Sequence, residues 1–156
     1  MRKQINSIFV YLFFIACWIF FFYFYPYHLH YKEQITLCVL QPDFLQTYLQ
    51  KPAFLTEICG DYLTQFFLWT GGGSSILTLT FVFTWLGLRI ALRKTGITSH
   101  VSLWALLPIV AEWALSCHLE YPLSMSLGLM CSVWAFSLST LSTSTHTRGI
   151  LHVVML

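Results

Sequence analysis

The sequence predicts an all-α fold: a polytopic membrane protein of about four transmembrane helices, with interfacial amphipathic helices between the first and second. Three observations lead there. The 156-residue chain is 57% hydrophobic and only 9% charged, against roughly 25% charged residues in an ordinary soluble domain. A soluble domain of this length lacks the interior to hide so much apolar surface. Finally, the uncharged runs approach the length of a bilayer crossing, and the basic residues sort to one side of them.

Residues 1–7 form a short cytoplasmic N-terminus carrying Arg2 and Lys3, and residues 8–27 the first transmembrane helix. The run 8–25 has no charge. It fits a span of roughly 17–25 residues and exceeds the roughly 7–15 of a signal-peptide core. Phe14-Ile15-Ala16-Cys17 resembles a lipoprotein cleavage box, but Trp18 to Phe22 continue the apolar run where a mature lipoprotein turns polar. Tyr23, Tyr25 and Tyr27 then form an interfacial aromatic belt.

Residues 28–73 are an extracytoplasmic loop with interfacial helices. Pro42-Asp43 opens a segment with Phe44, Leu45, Tyr48 and Leu49 at helical spacing, closed by Lys51-Pro52. A second stripe runs through Phe54, Leu55, Ile58, Leu63, Phe66 and Phe67. Short amphipathic helices of this kind lie in the membrane interface. Gly71-Gly72-Gly73 then permits a sharp re-aiming of the chain. Cys38 and Cys59 both fall outside the membrane, though spacing does not require them to pair.

The second transmembrane helix is 74–92, followed by a cytoplasmic loop at 93–100. The third is 101–117, apolar except for Glu112; a short external turn at 118–121 leads to the fourth, 122–141. The tail 142–156 is polar, then briefly apolar and too short to span, as at a natural end or a truncated gene. This layout puts Arg2, Lys3, Arg89, Arg93, Lys94 and Arg148 inside and only Lys32 and Lys51 outside, the asymmetry of the positive-inside rule.

Glu112 is the sharpest single residue. A charge at a span centre costs roughly 2.5–3.5 kcal/mol on insertion scales, so it faces a protein interior or a water-filled cavity. At four-residue spacing it shares a face with Trp104, Pro108 and Ser116. Its readings are a proton relay or substrate contact, or a carboxylic acid bonded to a neighbouring helix. In the loop, Glu33 lies in the aromatic and imidazole cluster His28 to Gln34, and Asp61 and Gln65 sit one helical turn apart. The catalytic candidates are therefore Glu33, Asp61, Gln65 and Glu112, with interfacial anchoring and helix capping as their structural alternatives.

A second set concerns packing. Ser124, Gly128, Ser132, Ala135 and Ser139 line one side of the fourth helix with small side chains, which lets backbones approach closely, in this chain or in a partner. No metal site is expected, because His28 and His30 lack further ligands and the five cysteines include no CxxC pair. No cofactor is predicted. The formal charge of +2 excludes a nucleic-acid face. The expected partners are the lipid bilayer and a helix partner or a second copy.

Three segments together resemble the N-terminal part of an uncharacterised multi-pass inner-membrane family of Bacteroidota, a domain of unknown function. They are Tyr27 to Gln34, Gly60 to Phe67 with the glycine triplet, and Leu119 to Ser124. The likeness covers roughly residues 8–141 and implies longer relatives, hence a fragment or truncation here. More loosely, the plan is similar to GT-C-class membrane glycosyltransferases. That likeness implies a lipid-linked sugar donor, with Glu33 or Asp61 as the loop acid serving as base or as ligand of a divalent cation. The expected function is a membrane module of unknown specific activity without independent catalysis, in a bacterial cytoplasmic (inner) membrane, with the sugar transferase as the alternative. Reporter fusions test the layout: position 51 is expected to read external and position 95 cytoplasmic, and the opposite readout would overturn it.

Overall fold

A computed structural model of the chain describes residues 2–35, 46, 48–51, 53–97 and 99–141, giving only the backbone of residues 2–5, 33, 35 and 141. The start of the helix expected at Pro42-Asp43, Cys38 as a partner for Cys59, and the tail 142–156 lie outside the described residues. The described residues form helices and no strand. Helix α1 (Arg2–Ile19) runs into a π-helical turn, Phe20–Phe24, and α2 follows as Pro26–Ile35. Then come α3 (Phe54–Thr64) with a 3-10 turn (Gln65–Leu68), α4 (Gly72–Lys94), α5 (Val101–Trp104), α6 (Leu106–Ser116) and α7 (Leu123–Leu141). Among the described residues three helices are long and apolar enough to cross a membrane: Asn6–Phe24, Gly72–Lys94 and Leu123–Thr140.

The fourth expected crossing is where the structure and the expectation differ. Val101–Ser116 is apolar but shorter, about 24 Å at 1.5 Å per residue against a hydrocarbon core of about 30 Å. It is also broken at Ala105. Pro108 has no N–H for the carbonyl of Trp104, and its ring crowds that carbonyl. Proline likewise shapes the end of α1: Pro26 cannot donate to Phe22, so the last turn widens, and Pro26 then occupies the first position of α2.

Helix α4 is the centre of the bundle and packs against α1, α6 and α7. Helix α1 and its π-helical turn bury Val10, Phe14, Cys17 and Phe21, a stripe at alternating spacings of four and three. Phe14 packs edge-on to Trp85, and Phe21 lies 6.3 Å from Phe81 between ring centroids. The Trp18 indole donates to Ser75 Oγ at 3.1 Å. The other side of α1 shows Ile8, Phe9, Leu12, Ile15 and Ile19 to the surroundings. Two buried hydroxyls on α4 are satisfied within the helix, Thr80 donating to the Ile76 carbonyl and Thr84 to that of Thr80.

Against α7 the approach is closer. A Cβ on Gly87 would lie 2.7 Å from Val133 Cγ1. Across this contact Ser137 Oγ donates to the Gly87 carbonyl at 2.7 Å and the Trp134 indole to that of Phe83 at 3.1 Å. Gly60 of α3 makes a second close contact, where a Cβ would come within 2.9 Å of the Ser124 backbone. The glycine triplet re-aims the chain as its sequence suggests. Gly71 has φ +82°, and a Cβ on Gly72 would strike the Phe66 carbonyl.

The small-residue stripe of α7 is covered unevenly along its length. Ser124 and Ser139 are buried, Ala135 is half-buried and Ser132 is exposed. Gly128 faces open space. The face that meets α4 instead carries Val133, Trp134 and Ser137, and the small residue at that contact is Gly87. Opposite signs are therefore expected for one substitution at two glycines. Gly87→Ala forces a clash and should destabilise by about 1–3 kcal/mol. Gly128→Ala removes a helix-interior glycine in open space and should stabilise by about 0.5–1 kcal/mol. Thermal unfolding in detergent checks this, and equal shifts at both positions would refute the packing.

Candidate functional site

The polar groups of the interior gather where α2, the end of α6 and the start of α7 meet. His28 and Lys32 are one turn apart on α2 and so share a face. Lys32 is buried, 9% exposed. Its Nζ donates to the carbonyl of Ser116 at 3.1 Å and to that of Tyr121 at 2.9 Å. Ser116 is the last residue of α6, so its carbonyl has no partner within the helix. An ammonium group satisfies it and suits the negative end of the helix. Burial pulls the Lys32 pKa down to about 8. His28 is pulled below its ordinary value, first by burial and then by the neighbouring Lys32 charge, although its ring lies against the backbone of His118 and Ser116. Burial also raises the Tyr121 hydroxyl.

One turn before Ser116 lies Glu112, 1% exposed. Ser126 of α7 is within electrostatic reach of both Glu112 and Tyr121. Neither carboxyl oxygen of Glu112, nor Ser116 Oγ, nor Ser126 Oγ has a well-formed hydrogen bond among the described residues. A buried polar group without a partner costs roughly 2–7 kcal/mol, and more if charged. A space of about 10 Å³ borders Ser116, Ser126, Tyr121 and Lys32, room for at most one water-sized group. The face expected to join Trp104, Pro108, Glu112 and Ser116 does not form. Trp104 and Pro108 are exposed while Glu112 and Ser116 are buried. Four-residue steps drift by about 40° each on a 3.6-residue helix, and the break at Ala105 adds to the rotation.

On the other side of Lys32 a recess of about 200 Å³ is lined by Asp61, Thr64, Glu120 and Tyr121, with Lys32 and Tyr121 bordering both spaces. Asp61 and Gln65 do lie on one side of their helix. The Asp61 carboxylate accepts a hydrogen bond from the Tyr48 hydroxyl. Gln65 Nε2 and Thr64 Oγ1 donate to the Asp61 backbone carbonyl at 3.4 and 2.7 Å. The backbone of Glu33 belongs to α2, while its side chain is outside the described residues. The structure thus joins Asp61 to Lys32 around the recess and sets Glu112 in a deeper cluster behind Lys32. Among the described residues no three His, Cys, Asp or Glu side chains gather as metal ligands would.

Lys32, Tyr121 and Ser126 were not singled out by the sequence reading. A signal for Lys32 existed: it follows buried Leu29 by three residues on the same helical face, so it had to point inward. Its titration gives a test. In the unfolded chain a lysine titrates at its ordinary 10.5, in the fold at about 8. Between those values the unfolded chain holds a proton that the folded one has released, so stability rises with pH across that window. The melting temperature should rise between pH 8 and pH 10 in the parent and lose that rise in Lys32→Met. An unchanged slope in the variant would overturn the assignment.

No curated protein and no solved structure gives a significant match to this chain. A family model does, over residues 1–156, under the description "Family of unknown function (DUF6057)". The chain belongs to that family.

Proposed function

We propose that this chain is an integral membrane module whose work is to hold helices together, without catalysis of its own, with the lipid bilayer as its principal partner. One observation carries the reading: four interior side chains tie separate elements together by hydrogen bonds to backbone carbonyls. Lys32 binds the α6–α7 junction, the Trp85 indole donates to the Ser102 carbonyl at 3.0 Å, and Trp134 and Ser137 donate to α4. Meanwhile the surface side of α1 is apolar, the reverse of a water-facing helix. In this reading three long helices cross the bilayer with the N-terminus inside, and the broken Val101–Ser116 segment enters it as a shorter fourth helix shielded by its neighbours.

The sugar-transferase plan finds partial support in Asp61, the loop acid on the recess with Lys32 and Glu120. The hold of Tyr48 on its carboxylate and a volume of about 200 Å³, below the roughly 300 Å³ at which ligand clefts begin, favour the module.

Ile15 is 56% exposed, midway along α1. An acidic residue there would cost about 2.5–3.5 kcal/mol in lipid and almost nothing in water. Ile15→Asp should therefore deplete the protein from carbonate-washed membranes, while Ile15→Leu should not. A soluble, undiminished parent and Ile15→Asp protein would sink the membrane reading.

A further inference from the structure

At the end of the bundle that carries the N-terminus, a cavity of about 480 Å³ opens between α1, α4 and α5, lined by Asn6, Ser7, Arg89, Arg93, His100 and Ser102. Arg89 and Arg93 are one turn apart on α4 and both reach it. Among the described residues no acidic side chain lines it. Along the sequence none of the six Asp and Glu residues falls before Glu33 or within 62–111, the stretch that contains both arginines. An arginine pair of this kind normally finds a carboxylate; among the described residues this one has no acidic side chain lining its cavity.

The cavity is also held in shape. The Arg89 guanidinium lies over the Trp85 ring, 5.2 Å from its centroid. The Trp85 indole is in turn fixed by its bond to the Ser102 carbonyl at 3.0 Å. Arg89 Nε is buried and makes no hydrogen bond among the described residues. His100 has φ +52°, in the left-handed region that a residue with a side chain seldom adopts. The Asn6 amide and His100 Nδ1 lie 3.1 Å apart, joining α1 to the start of α5 across the opening. Strain kept at one residue, an arginine set by an aromatic ring and a wall that carries two guanidinium groups describe a preformed anion site.

We propose that this cavity binds a phosphate group, with Arg89 and Arg93 as its cationic arms and Asn6 and His100 as hydrogen-bonding groups at its rim. Guanidinium groups match phosphate oxygens in pairs, and such charge-assisted bonds are about twice as strong as neutral ones. The phosphate can belong to an anionic phospholipid headgroup or to a free phosphate ion. The lipid source rests on the membrane reading above; the ion source does not.

Two arms separate the sources. Purified full-length protein is melted in uncharged detergent with inorganic phosphate or with chloride at equal ionic strength. It is also analysed by native mass spectrometry after exchange into phosphatidylglycerol or phosphatidylcholine. Retention of phosphatidylglycerol over phosphatidylcholine without a phosphate-specific shift assigns the site to a headgroup. A shift with phosphate assigns it to the free ion. In either case Arg89→Gln/Arg93→Gln should weaken the effect at least tenfold, His100→Asn, which tolerates the same backbone, several-fold, and Lys51→Gln not at all. If the double variant does not fold, Arg93→Gln alone should still weaken binding, because Arg93 is exposed and the arginine stacked on Trp85 is Arg89. No preference in either arm, or an equal loss in Lys51→Gln, would overturn the proposal. Protein that remains in carbonate-washed membranes yet shows neither preference would sink the site and leave the membrane module standing.

Discussion

The absence of a side chain at Gly87 is the constraint on which the bundle rests. With only hydrogen there, α4 and α7 come close enough for Ser137 and Trp134 to reach the carbonyls of Gly87 and Phe83. Those carbonyls already serve the helix, and a second donor is available to them only at this range. With α7 drawn in on one side, α4 offers Phe81 and Trp85 to the first helix and its π-helical turn on another. If lipid surrounds the bundle, apolar burial between helices gains little, because hydrocarbon is as apolar as leucine. Close packing and interhelical hydrogen bonds must then supply the association.

Lys32 does at one end of the molecule what Gly87 does in the middle. It reaches from α2 to the last carbonyl of α6 and to a carbonyl of the turn that leads into α7, and so fastens α2 to that junction with one group. Its burial disfavours the charge, and the exposed end of α6 favours it. The balance leaves an ammonium that is held but easily deprotonated compared with an ordinary lysine. Glu112, Ser116 and Ser126 sit behind it without well-formed hydrogen bonds. Lys32 and Tyr121 therefore form the partition between the Asp61 recess and the buried carboxyl.

The two ends of the bundle differ in electrostatic character. Around Asp61, Glu120 and Lys32 both signs are present and much of the charge is engaged locally. Around Arg89 and Arg93 the lining, among the described residues, holds no acidic side chain. A membrane protein with its N-terminus inside would present this second end to the more anionic leaflet surface, and the cavity gives that general attraction a defined place.

Much of the architecture was legible from the chain. Helical character, the re-aiming at Gly71 to Gly73, and the apolar character of 8–25, 74–88 and 122–141 follow from local pattern: period, turn chemistry and the absence of charge act within a few residues of where they are written. The rupture at Ala105 was also written there, in Pro108, although its consequence for the Trp104 and Glu112 face emerged only in three dimensions. Tertiary structure alone decided which glycine is the contact. Gly87 and Gly128 are equivalent as letters and differ only in what stands opposite them, Val133 or open space. It also decided the partners of Lys32, backbone carbonyls 84 and 89 residues away. Every residue but proline brings the same carbonyl and N–H to the backbone, so no spacing or residue type marks the ones a distant side chain will find. A sequence names its side chains; only the fold selects which anonymous backbone groups they meet.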